Sequence, residues 1–424
     1  MSDFRALPES GPFRLENVTV PACLLGQAGG LVSHSLGVDG GVLSDRDDLP
    51  GVDMRGALVL PCFIDMHTHL DKGHIWPRSP NPDGSFMGAL STVAADREAN
   101  WNAEDVRARM DFALRCAYAH GTRAIRTHID SLAPQDTISW PVFAELREEW
   151  AGRIALQGCS LAGIDRADLE GEYKRTADIV AGHGGVLGMV TYPVDGLKDR
   201  LRRLFQLASE RDLELDFHAD ESGDPSAATL RAIAEVALET GFTRPITVGH
   251  CCSLAVQPEA EALATLDLVA RAGLNIVSLP MCNMYLQDRT GGRTPRWRGV
   301  TLVHEMKARG ITISFASDNT RDPFYAYGDL DMVEVLREAT RIAHLDHSDP
   351  DWIAAFLTNP ARACSLDAPS LAPGAPADLV ILRARNWGEA MARPQSDRIV
   401  LRAGRAIDRS LPDYAELDHL MRMP

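Results

Sequence analysis

Cysteine pairs of the C-x-x-C type are missing from this 424-residue chain, although it has eight cysteines: Cys23, Cys62, Cys116, Cys159, Cys251, Cys252, Cys282 and Cys364. Their spacing excludes a zinc ribbon and a thioredoxin-like redox motif. The H-x-E…P-C-x-x-C signature of cysteine-ligated zinc deaminases is missing too. Read as small core residues of a reducing compartment, the cysteines leave histidine and carboxylate to hold any metal. No apolar run approaches the roughly 20 residues a membrane span needs. The start, Met1-Ser2-Asp3-Phe4-Arg5, has no basic segment followed by an apolar one, so no signal peptide is read and a cytoplasmic location is expected. Basic charge is in deficit: 43 Lys and Arg face 59 Asp and Glu, for a net charge of −16. Such a surface repels a nucleic-acid backbone, so any base it handles is a free one. Internal repeats and low-complexity stretches are absent as well.

What the chain does have is an ordinary globular balance, 45% apolar and 24% charged residues. Eight short apolar runs recur at 57–63, 123–129, 153–159, 186–192, 213–217, 246–249, 274–279 and 311–316. Amphipathic stretches separate most of them, which points to parallel βα units. Two helices are well marked. Asn102 caps one, with Val106, Met110, Leu114 and Ala117 on its apolar face and Gly121 ending it. Asp224 is expected to cap another, with Pro225 in its first turn, a stripe of Leu230, Ile233, Ala237 and Leu238, and Gly241 as its stop. Eight units make a closed α/β barrel the leading reading, though counting alone leaves a doubly wound sheet open. The ends differ. Residues 1–56 and 368–424 read as short strands with Gly-rich turns, apart from a polar helical signal near 414–421, and are expected to pair into a small β-sandwich domain. The expected architecture is a distorted (β/α)8 TIM-type barrel over 57–367 carrying that second domain.

The first run leads into Asp65-Met66-His67-Thr68-His69-Leu70-Asp71-Lys72. Residues two apart in a strand point to one side, so His67 and His69 project together, the geometry for two imidazoles on one metal. An isolated H-x-H is weak, and two satisfied histidines near a strand end would read the same. The fifth run, however, ends in His218-Ala219-Asp220-Glu221, the sixth in Val248-Gly249-His250, and the eighth in Ala316-Ser317-Asp318-Asn319. Metal-binding or proton-moving types thus cap several strands at the rim where barrels build active sites.

These residues resemble the motif of the amidohydrolase superfamily, and within it the chain is most similar to bacterial cytosine deaminases. Supporting stretches are Arg126-Thr127-His128-Ile129-Asp130, Pro280-Met281-Cys282-Asn283-Met284-Tyr285-Leu286-Gln287 and Asp322-Pro323-Phe324, while Gly374-Ala375-Pro376-Ala377-Asp378-Leu379-Val380-Ile381 looks like the return strand into the small domain. The resemblance implies that His67, His69, His218 and Asp318 bind one divalent metal, zinc or iron(II). A second metal would call for a lysine on a middle strand, and the third and fourth runs have none. Glu221, in a loop where glutamate is ordinarily just solvated, becomes the implied proton shuttle. His250 is implied to stabilise the developing oxygen charge, and Asp318 to help move a proton to departing ammonia. His128 and Asp130 have a supporting, substrate-side or purely structural reading. Lys72, His74 and Trp76 fall in a loop able to cover the site. Family members often form homo-oligomers.

Substrate choice departs from the resemblance. The similar cytosine deaminases carry a glutamine after the third strand, where this chain has Ser160-Leu161-Ala162-Gly163, and a second acid after the metal aspartate, where this chain has Asn319. An amide both donates and accepts, whereas a carboxylate only accepts. Leu161 and Asn319 are therefore the expected substrate contacts, and the ring is cytosine or a related small heterocycle. The segment Ser317-Asp318-Asn319-Thr320-Arg321-Asp322 also resembles N-isopropylammelide amidohydrolases, a second reading that retention of Glu221 argues against. A non-catalytic scaffold on the same fold would have lost ligands that are all present here.

Overall fold

The computed structural model describes residues 6–166, 171–348 and 351–421; residues 1–5, read above for a leader, lie outside the described residues. Eight parallel strands follow one another in chain order: β1 (Phe63–Thr68), β2 (Thr122–Asp130), β3 (Ala155–Leu161), β4 (Leu187–Thr191), β5 (Leu215–Ala219), β6 (Ile246–His250), β7 (Asn275–Ser278) and β8 (Thr312–Phe315). Continuous ladders join β1 to β3 and β4 to β8. Isolated parallel bridges close the ring, Cys159 with Val186 and Gly163 with Val190 along the β3–β4 seam, and Thr68 with Asp318 between β1 and the end of β8. At the second closure the Asp318 N–H donates to the His67 carbonyl at 2.9 Å, and the Ser317 N–H and hydroxyl donate to the Asp65 carboxylate of β1. That closure sits inside the site itself.

The expected barrel is present, with one correction at its start. Run 57–63 is two things: Leu58–Pro61 pairs antiparallel with Leu379–Leu382 in the other sheet, and the barrel begins at Phe63. Leu58 and Leu60 face the main core while Val59 faces the smaller one, so the period-two alternation serves both sides and hides the boundary. The other sheet has eight strands drawn from both ends of the chain; seven run in one path from Arg405–Ala406 to Val42–Ser44, and Gly51–Asp53 pairs off that path with Phe13–Pro21. It encloses its own apolar cluster, including Phe13, Leu15, Val18, Leu379 and Leu401.

Helix α1 (Phe86–Asn100) follows β1 at a distance, and α2 (Ala103–His120) is laid out as its sequence dictates. Asn102 accepts from the Asp105 N–H, and Gly121 ends the helix at φ 96°, where a side chain is disfavoured. Helix α3 (Thr229–Thr240) starts later than expected. Asp224 instead bonds Ser226 in a local turn, and the cap comes from Asp220, whose carboxylate accepts from the N–H groups of Thr229 and Leu230. Leu238 is 37% exposed and is not part of the buried stripe. Near the C-terminus only a single 3₁₀ turn forms, Tyr414–Leu417, closed by an Asp413–Glu416 capping box. Among the described residues no helix is long and apolar enough to cross a membrane.

Candidate active site

Three imidazoles and one carboxylate converge at the mouth of the barrel. The His67 and His218 Nε2 atoms are 3.1 Å apart, and those of His218 and His69 are 3.3 Å apart. Asp318 Oδ1 lies 3.2 Å from His69 Nε2 and 3.6 Å from His67 Nε2. All four residues are buried. Burial first, then the crowding of imidazoles against one another, with Lys72 beside His69 and His218, holds the three histidines well below their ordinary pKa and leaves them neutral with lone pairs to offer. Among the described residues, neither oxygen of Asp318 has a hydrogen-bond donor. Bare lone pairs this close are costly unless a cation sits among them. Ligand atoms at about 2.0–2.1 Å from one divalent ion stand roughly 3–3.5 Å from one another, close to these spacings. The donor set fits one divalent metal.

Local structure explains how the four meet. His67 lies in β1 and His69 just past it, His218 lies in β5, and Asp318 follows β8. Gly249 in β6 leaves room for His67: a Cβ there would come 3.0 Å from the imidazole Cε1. Three rim residues adopt left-handed backbone, Asp220 (φ 52°), His250 (φ 68°) and Asp318 (φ 66°). Such conformations cost on the order of 1–3 kcal/mol each and turn the side chain away from its strand-dictated direction.

Beside the cluster lies a cavity of about 450 Å³. His69, His218, Glu221, His250, Asp318, Asn319 and Leu161 line it. Burial, then the Asp318 carboxylate, pushes Glu221 well above the usual carboxylate range. Burial raises Asp318 to about 7 and pushes His250 down to about 3. A Glu221 Oε1 atom lies 3.3 Å from His250 Nδ1. A carboxyl group of raised proton affinity and a neutral imidazole thus face one cavity, a pairing suited to moving protons during hydrolysis.

The remaining candidates divide. Lys72 and Asp130 face the cavity. Lys72 Nζ is 3.6 Å from Asp130, which also accepts from Arg97 at 2.9 Å, and it stands 5.2 Å over the Phe324 ring. Although burial raises Asp130, Lys72 and Arg97 hold it below its ordinary value. His128 is underneath, its ring 4.0 Å from that of His67 and its Nε2 3.3 Å from Asp216. His74 does not reach the cavity; it is buried against Phe112. Trp76 stays outside as well, its N–H bonded to the Arg321 carbonyl. Asn319 donates to Asp322 at 2.6 Å, so much of its amide serves the loop rather than a ligand. Two groups that belong to the stretches supporting the resemblance had no role assigned from sequence. Arg126 fills the barrel floor, bonded to Asp216, Glu214 and Gln157; its neighbours are far away in sequence and only the ring closure unites them. Asn283 bridges Glu221 and His250; its membership of the Pro280–Gln287 stretch was the available signal.

A hydrolase barrel whose mouth gathers histidines and an aspartate that fit a divalent metal is the class that this fold and site define. The chain belongs to the amidohydrolase family, whose model matches residues 170–407. It is 53% identical to a pterin deaminase of Rhizobium rhizogenes over 98% of both chains. It is 25% identical to the N-isopropylammelide isopropyl amidohydrolase of Pseudomonas sp. strain ADP, covering 84% of this chain and 87% of that one. Among solved structures, a 5-methylcytosine deaminase from Klebsiella pneumoniae superposes with a TM-score of 0.79 at 25% identity, covering 95% of this chain and 98% of that one.

Proposed function

We propose that this chain is a metal-dependent deaminase that hydrolyses the exocyclic amino group of a pterin-type bicyclic amino-heterocycle and releases ammonia. The observation that carries the reading is the placement of Glu221 and His250 on one cavity with the four-donor cluster, in a chain 53% identical to a pterin deaminase over nearly its whole length. Cytosine, the ring indicated by sequence resemblance, has one ring. Where the resembled family reads that ring with glutamine, this cavity has the apolar Leu161 and Ala162, and its wall continues past them to Val190 and Tyr192.

His67, His69, His218 and Asp318 would hold one zinc or iron(II) ion. A divalent ion in such a site acidifies a water and so supplies hydroxide near neutral pH. Glu221 is placed to accept a proton from an attacking water and would pass it to the ring nitrogen next to the amino-bearing carbon, which makes the carbon electrophilic. His250 donates a hydrogen bond to the oxygen as charge builds on it. Asp318 holds the last proton and gives it to the leaving amine. Phe324, under the Lys72 ammonium, supplies an aromatic face for the ring.

The test is an ammonia-release screen of metal-loaded protein over pterins, cytosine, 5-methylcytosine and amino-triazines. Pterins should give the highest kcat/KM. A preference for any single-ring amine would overturn the substrate class, and release from none would overturn the activity.

A further inference from the structure

The short helix after β7, α4 (Pro280–Leu286), has no part in the chemistry above, yet its Asn283 touches both proton-handling groups. Asn283 Nδ2 lies 3.1 Å from Glu221 Oε1 and 2.9 Å from His250 Nδ1. One residue beyond the helix, the Gln287 side chain donates to the Glu221 carbonyl at 3.1 Å. The segment therefore grips Glu221 at its backbone and at its carboxylate.

Hydrogen-bond logic fixes what this does to His250. In the ionised state in which Glu221 takes up a proton its carboxylate only accepts, so the amide turns its NH₂ toward Glu221. The second N–H of that NH₂ then points at His250 Nδ1. A donor cannot face a donor at 2.9 Å, so Nδ1 carries no proton. The neutral ring must bear its proton on Nε2, a nitrogen that is buried without a hydrogen-bond partner among the described residues. Which ring nitrogen is protonated in a histidine is set by the bond the other makes.

We infer that Asn283 is a positioning residue that selects the Nε2–H tautomer of His250 and aims the Glu221 carboxylate, so that one amide coordinates the hydrogen-bond donor and the proton shuttle. With the opposite tautomer, His250 would present a lone pair to the oxygen on which negative charge builds. The inference rests on the proposed roles of Glu221 and His250, but the tautomer itself is a property of the resting protein.

The experiment combines two readouts on full-length, zinc-loaded protein. ¹⁵N spectra of histidine-labelled enzyme, with His250 assigned from a His250→Asn variant, should show a bare Nδ1 and a protonated Nε2. Asn283→Asp, near-isosteric and able to accept from Nδ1–H, should move His250 to the Nδ1–H form with zinc content unchanged. On the best amine substrate kcat should fall by about 10²–10³, the loss typical of removing one transition-state donor, with KM within about threefold. Asn283→Ala should also lower kcat, and this guards against an effect of the new charge alone. An Nδ1–H tautomer in the unsubstituted protein overturns the inference whether or not any variant folds. So does unchanged kcat in both variants. Because the tautomer is read without turnover, failure of the deaminase assignment would be seen separately.

Discussion

Asp220 and Glu221 are neighbours in sequence and face opposite ways. The Asp220 carboxylate accepts from the Thr229 N–H, the Thr229 hydroxyl and the Leu230 N–H, all between 2.8 and 2.9 Å, and so caps α3. Glu221 turns into the cavity. The left-handed backbone at Asp220, φ 52°, makes the divergence possible. One acid builds the scaffold and the other is free for chemistry.

Substituting each by its amide should therefore separate the two roles. Glu221→Gln should lower kcat by at least about 10² while metal content and melting temperature hold, because general acid–base groups contribute about 10²–10⁴ in rate. Asp220→Asn should leave kcat within a few-fold but cost about 1 kcal/mol, the usual effect of losing a helix cap, seen as a lower melting temperature. Near-normal turnover in Glu221→Gln would sink the mechanism.

The pH profile follows from the same carboxylate. Glu221 must be ionised to accept a proton, and burial with the adjacent Asp318 raises its pKa above the ordinary glutamate value. Activity is then full above that raised pKa and lost as pH falls through it. The acid limb of kcat/KM should lie above the ordinary glutamate value of about 4.3. Activity that persists undiminished to pH about 4.5 would rule out Glu221 as the base.

Metal stoichiometry checks the four-donor cluster. Elemental analysis should find close to one zinc or iron per chain, and His67→Ala should lose both metal and activity. Chelation should abolish turnover, and adding back a divalent ion should restore it. Two tightly held ions per chain would contradict the single site drawn from His67, His69, His218 and Asp318.

Asn319→Asp examines the specificity loop. Asn319 now donates to Asp322, which also accepts from the Phe324 and Tyr325 N–H groups and so shapes the turn that carries Phe324. An aspartate at 319 would set two carboxylates against each other. Burial raises Asp322 to about 6 even with Asn319 donating to it, and losing that donor to a carboxylate raises it further, so the repulsion grows as pH rises and relaxes as the pair takes up a proton on acidification. The variant should melt lower than the unsubstituted protein, with a larger gap at pH 8 than at pH 5, and should rank pterin and single-ring amines differently. An unchanged ranking would remove position 319 from substrate selection.

Periodicity and residue type in the sequence determined a good deal by themselves. Short apolar runs alternating with amphipathic stretches define the parallel βα units, because a strand buried on both faces must be apolar throughout. The cap and stop of α2 were legible because Asn102 and Gly121 act on their immediate neighbours. His67-x-His69 was legible because a strand repeats every two residues. Tertiary structure decided the rest, wherever a residue's partner lies far along the chain. Run 57–63 splits because Leu58–Pro61 finds its partner more than 300 residues later. The cap of α3 comes from the site loop rather than from Asp224 because Asp220 reaches Thr229 only once β5 has set it on the rim. Arg126 meets Glu214 and Asp216, and Asn283 meets Glu221 and His250, across a ring that exists only when closed. Local patterns are set by the repeat of the backbone, whereas hydrogen-bond partners of buried polar groups are set by which strand ends the closed barrel brings together.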